Sequence, residues 1–144
     1  MKETLCTIVG VIGSMIISLL GGWDAPMQGL VICMIIDYVS GLVVAGIFHA
    51  STKSKNGALN SSSGFKGLCK KCMILFIIIV MAQIGKIASA DYLRNAAIIG
   101  FMANEIISIL ENAKLMGIPL PKIVYKAIDI LNDRENEKEE NEEV

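Results

Sequence analysis

The stretch from His49 to Lys71 has no Asp or Glu, and that absence is the strongest topological statement in the chain. It carries Lys53, Lys55, Lys66, Lys70 and Lys71, and a long apolar segment lies on each side of it. Lys and Arg near the ends of membrane spans stay on the cytoplasmic side, so an acid-free basic loop between apolar segments predicts a cytoplasmic loop. Its one aromatic residue is Phe65, which argues against a nucleic-acid partner. Histidine is almost missing as well. His49 stands alone at the lip of an apolar segment, with no nucleophile and acid to complete a catalytic set. G-x-S-x-G, H-E-x-x-H and P-loop patterns are absent, and Gly64-Phe65-Lys66-Gly67 is too short to cradle a phosphate. The expectation is a protein that is not an enzyme and uses no cofactor. Cysteine is scarce: Cys69 and Cys72 form a lone C-x-x-C, with no second pair among the four cysteines. A tetrahedral zinc site needs about four ligands. The plainer reading is small residues at the start of a span, reduced in the cytoplasm, with no metal.

Polar residues are also too few to make a shell. Of 144 residues 53% are hydrophobic, and the polar ones are clumped in the central loop and at the C-terminus. A soluble domain needs polar cover on all sides. The expected fold class is therefore all-α: a polytopic membrane protein with about four transmembrane helices, a C-terminal amphipathic helix and an acidic tail. Apolar runs place the spans near residues 4–20, 28–48, 72–90 and 95–110, with the basic loop at 49–71. The first resembles the charged and apolar parts of a signal peptide, but no A-x-A-like cleavage site follows, so it reads as an uncleaved span anchored by Trp23. At 1.5 Å per residue such segments cover roughly 26 to 30 Å, about one hydrocarbon core. The fourth span is the weakest, being short and holding Asn104 and Glu105. Residues 113–132 carry Leu120, Val124 and Ile128 every four positions, the pattern of a helix lying on the membrane surface or packed under the bundle. Asp133 to Glu143 holds seven acidic residues against Arg134 and Lys138, and reads as a solvated tail at 133–144. Four spans with the loop inside put Lys2, Lys114, Lys122 and Lys126 inside too, so both termini are expected in the cytoplasm and the lipid bilayer is the first partner.

Asp37 is the most informative single residue. A charged Asp at mid-bilayer costs about 2.5–3.5 kcal/mol, so it must face protein or water. At four-residue spacing around it lie Gly29, Cys33, Gly41 and Ala45. This small-residue face with a central acid suits association with other helices or a wet path; the plainer alternative is packing within one chain. Gly10, Ser14 and Ser18 in the first span, and Gly100, Asn104 and Ser108 in the fourth, repeat the spacing. Small residues let helices approach, within one molecule or in a homo-oligomer. Glu105 and Lys86 are the other ionisable groups at membrane depth. Lys86 reaches an interface by snorkelling, and Glu105 can pair with it or share a proton with Asp37.

Three stretches resemble the toxin-secretion/phage-lysis holins: Asp37-Tyr38-Val39-Ser40-Gly41; Leu59-Asn60-Ser61-Ser62-Ser63-Gly64-Phe65-Lys66-Gly67-Leu68-Cys69-Lys70-Lys71; and Asn104-Glu105-Ile106-Ile107-Ser108-Ile109-Leu110-Glu111-Asn112-Ala113 followed by Gly117-Ile118-Pro119-Leu120-Pro121. The resemblance they carry covers about residues 28 to 131. One departure is that Gln83 and Lys86 stand where the family pattern implies an acid late in the third span. The resemblance implies a protein of the bacterial cytoplasmic membrane that self-associates and opens lesions at a set time, releasing a cell-wall hydrolase or a toxin. It also gives the lysines Lys53, Lys55, Lys66, Lys70 and Lys71 a second role, contact with anionic lipid or neighbouring subunits. An antiholin-like regulator, a small ion- or proton-coupled transporter using Asp37 and Glu105, and a membrane anchor that recruits a partner are the rival readings.

Overall fold

The computed structural model describes residues 1–52, 58 and 60–126. Among these the regular structure is helical: α1 (Lys2–Leu19), α2 (Ala25–Val43) continued by a π-helical turn (Val44–Phe48), α3 (Ser61–Ala88) and α4 (Tyr92–Leu115). All four helices are long and apolar enough to cross a membrane, counting α2 with its π turn.

Local chemistry explains where each helix begins and ends. α1 stops where Gly21 and Gly22 take φ of +82° and +113°. The Asp24 carboxylate then accepts the Met27 amide at 3.2 Å and caps α2, with Pro26 in the first turn, where its missing N–H costs nothing. His49, in the left-handed region, ends the π turn. Asn60 caps α3 by accepting the Ser62 amide at 2.9 Å. Residues 61–71, expected as loop, are therefore the first turns of α3, capped by Asn60 despite three serines and two glycines. α3 closes through Ser89, and the Ala90 amide bonds the Gly85 carbonyl at 2.8 Å. α4 continues past the expected end near Leu110 to Leu115, and Gly117 (φ +77°) turns the chain. Residues 113–115 of the expected amphipathic segment thus belong to α4. A helical turn follows at 122–126, with the Lys114 ammonium 5.5 Å from the Tyr125 ring centroid. Lys53, Lys55, the remainder of that segment from 127 on and the acidic tail lie outside the described residues.

The most extensive helix interface joins α2 and α4. They run in the same direction, because α3 crosses back between them in sequence. Their buried positions recur at steps of three, four and seven: Met27, Leu30, Met34 and Asp37 on α2 with Val44 opening its π turn, and Arg94, Ile98, Glu105 and Asn112 on α4, the last three seven apart. That is the spacing of knobs-into-holes packing. Gly29 admits the Met102 side chain, whose Cε would lie 3.1 Å from an added Cβ. Ile78 and Ala82 of α3 complete an apolar core with Leu20, Met27, Leu30, Met34 and Ile98. The core occupies the half of the bundle near the two tight turns, Gly21–Asp24 and Ser89–Asp91. α1 contributes no buried residue and meets the bundle near its C-terminal end, where the Gln83 amide donates to the Leu19 carbonyl at 3.2 Å.

Arg94 fastens this turn end. Its guanidinium grips Asp24 bidentately at 2.7 and 3.0 Å and donates to the carbonyls of Leu20 at 2.6 Å and Gly22 at 3.0 Å. A Cβ on Gly21 would sit 2.9 Å from the Arg94 side chain, so this glycine supplies both a positive φ and the space for the clamp. The Arg94 hydrogen bond leads in holding the Asp24 carboxyl below its ordinary value of 3.8, opposed by partial desolvation. A depressed folded-state pKa gives stability that is complete above the ordinary value and is lost as pH falls through the folded one. Thermal melts of the full chain in detergent between about pH 5 and pH 2.5 test this. Wild type should lose more stability on acidification than Asp24→Asn; equal losses would remove the clamp from the acid response.

Candidate functional site

Halfway along the bundle three helices each send one ionised side chain to a common point. The Lys71 ammonium of α3 donates to Asp37 Oδ2 of α2 at 2.8 Å and to Glu105 Oε2 of α4. The three side chains are only 12%, 9% and 9% exposed. Asp37 lies roughly 18 Å along α2 from Ala25, and Glu105 roughly 20 Å along α4 from Tyr92, at 1.5 Å per residue. Both acids are thus inside a hydrocarbon core about 30 Å thick. The Lys71 Cα sits further from the turn end, and its flexible four-carbon stem reaches back to them.

The cluster is completed by amide and hydroxyl groups. Asn112 Nδ2 donates to Asp37 Oδ1 at 3.2 Å and to Ser40 Oγ at 2.9 Å, and the Ser40 hydroxyl donates to the Asp37 carbonyl at 3.0 Å. No buried side-chain N or O among the described residues lacks a hydrogen-bond partner. The two carboxylates therefore escape the cost of bare burial through a shared cation and a fixed amide. Gly41 faces this amide: an added Cβ would lie in ordinary contact, 3.8 Å from Asn112 Nδ2. Tyr38 packs over the glycines of α3, its hydroxyl 3.7 Å from a Cβ built at Gly64 and its ring 4.0 Å from one at Gly67.

Beside the cluster is a cavity of about 510 Å³, bounded by the second half of α2, the first turns of α3 and the second half of α4. Asp37, Gly41, Ala45, Asn104, Glu105 and Ser108 all border it, so these predicted residues converge on one place. Lys66, Lys70 and Lys71 line the same cavity. Other predicted residues are elsewhere. Lys86 is exposed in the last turn of α3, and Glu105 pairs with Lys71 instead. Gly10, Ser14, Ser18 and Gly100 are exposed on outer faces of α1 and α4.

Lys71 and Asn112 are the residues whose place in the cluster sequence reasoning missed. The seven-residue step from Ile98 through Glu105 to Asn112 is the signal that locates Asn112. Lys71 gives none, since a lysine beside a span is already explained by topology.

The sequence matches the bacteriophage holin family over residues 14–133. An uncharacterized protein of Listeria monocytogenes is 37% identical over 123 residues, covering 85% of this chain and 82% of the relative. One of Halalkalibacterium halodurans is 32% identical over 143 residues, or 94% and 99% of the two chains. The probable holin of Bacillus phage phi105 is 26% identical over 115 residues, or 77% and 79%. No solved structure matches.

Removing one partner of a buried charge cluster strands the others, at about 3–5 kcal/mol. Lys71→Met should therefore lower stability by roughly that amount, read from denaturation of the full chain in detergent. Adding Asp37→Asn and Glu105→Gln to it should recover most of the loss, because no charge is left unpaired. Strictly additive losses would mean that the three groups do not act as a unit.

Proposed function

The chain belongs to the bacteriophage holin family, and from that premise we propose that it is a holin: it self-associates in the cytoplasmic membrane, with both termini on the cytoplasmic side, and opens lesions through which a cell-wall hydrolase or a toxin leaves the cell. The observation that carries the mechanism is the single lysine shared by two acids on two other helices. A closed bundle hides all three charges from lipid. Once neighbouring copies pack side by side, the same groups can face water, because a lesion supplies the solvent that the bilayer denies them.

The helices differ in how they would part. α2 and α4 share the largest interface, whereas α3 meets α4 over a smaller one and α2 over little. The rupture therefore falls between α3 and the α2–α4 pair, with Lys71 leaving and Asp37 and Glu105 turning to the lumen. Outward faces with small residues, Gly10, Ser14 and Ser18 on α1 and Gly100 on α4, give neighbouring copies surfaces for close approach. The lysines of the first turns of α3 lie at the same end of the bundle as Lys2 and Leu115, which fits the expected orientation.

Inducible expression in a bacterial host, with and without a co-expressed cell-wall hydrolase, tests the function. Abrupt lysis at a reproducible time only when both are present is the expected result. Selective, saturable ion flux without release of the hydrolase would identify a transporter, and delay of another holin without lysis would identify a regulator. Asp37→Asn and Gly41→Leu should shift the onset of lysis; wild-type timing and oligomer size in both would exclude this face from lesion formation.

A further inference from the structure

We propose that the cavity beside the ion cluster is a binding site for the phosphate headgroup of an anionic phospholipid, held by Lys66 and Lys70. Three observations lead there. First, Lys66 and Lys70 border the cavity and form no ion pair among the described residues. The acids on the same wall, Asp37 and Glu105, are both engaged by Lys71. The two acids outnumber that one ammonium, and Lys66 and Lys70 bring the charged lining to three lysines against two acids, one positive charge in excess.

Second, the lysines stand at the right level. α3 has 28 residues, roughly 42 Å at 1.5 Å per residue, and so overruns a hydrocarbon core of about 30 Å. Measured from Ala88, Lys70 lies roughly 27 Å and Lys66 roughly 33 Å along the helix. These heights straddle the plane where acyl chains give way to phosphates. Third, the walls change character along the same axis. Leu42 and Ile74 border the cavity on its apolar side, and Asn60, at the start of α3, borders its polar side with the positive end of the helix dipole. A ligand with an anionic head and an apolar body matches both, and basic pockets between transmembrane helices are the recognised form of such sites. A soluble anion would use the lysines and leave the apolar wall uncovered. This assignment is independent of whether the chain makes lesions.

The test uses the full chain in lipid nanodiscs of phosphatidylcholine with a rising fraction of phosphatidylglycerol, and counts retained lipid by native mass spectrometry. One phosphatidylglycerol per chain should be retained, in preference to phosphatidylcholine. Lys66→Gln with Lys70→Gln should weaken retention about 30-fold, from two lysines near the headgroup plane, while Lys2→Gln with Lys122→Gln should change nothing. Ser108→Leu, which fills the cavity and keeps every lysine, should also reduce retention. Equal retention in wild type and both cavity variants, or equal retention of the two lipids, would overturn the proposal. Displacement of the lipid by inorganic phosphate would overturn it in favour of a free-anion site.

Discussion

Everything in the second half of this bundle depends on one ammonium group serving two carboxylates. Asp37 and Glu105 come from helices that run side by side in the same direction, and without a cation between them they would repel at membrane depth. Lys71 removes that repulsion and in doing so ties α3 to the pair. The bond is strong only while the site is dry. Buried ion clusters gain little net stability over an apolar core of the same shape, and they lose heavily when one member leaves. A cluster of this kind is a poor choice for a permanent structural core and a suitable one for a protein with two arrangements.

The rest of the architecture is consistent with that division. Methionines, leucine and isoleucines pack the half near the tight turns, and Arg94 with Asp24 locks the turns onto α4. This end has the character of a permanent foundation. The opposite half is held by charges, bordered by a cavity and flanked by lysines. α1 is tied to the foundation and leaves its apolar length uncovered within one chain. Within a bilayer, lipid or neighbouring copies would cover it.

Much of this was legible in the sequence, and the failures are instructive. Four apolar segments and an acid inside the second were visible because lipid tolerates neither a polar run nor a bare charge. Small residues recurring around that acid marked a face of α2, while the side of the fourth span that meets it, with Ser108, came only from the structure. What was not visible is which distant residue answers each charge. Asp24 and Arg94 are 70 positions apart, and each alone reads as an interfacial residue. Lys71 stands in a basic stretch that topology already explains, and residues 61–71 lie outside the apolar run that marks the third span. One cap at Asn60 reverses that reading and carries Lys71 into the bundle. The buried face of α2 also follows a three–four alternation, a finer pattern than the four-residue stripe, since it must mesh with α4.

In the proposed mechanism α3 separates from α2 and α4 when the protein acts. The direct measurement is the distance between spin labels placed on a chain without native cysteines by Leu68→Cys on α3 and Ile106→Cys on α4, both exposed positions close to the cluster. Membranes would be taken before and after the onset of lysis in the presence of the hydrolase. A single short distance is expected before onset and a distinctly longer one afterwards. An unchanged distance distribution across a completed lysis would contradict the mechanism.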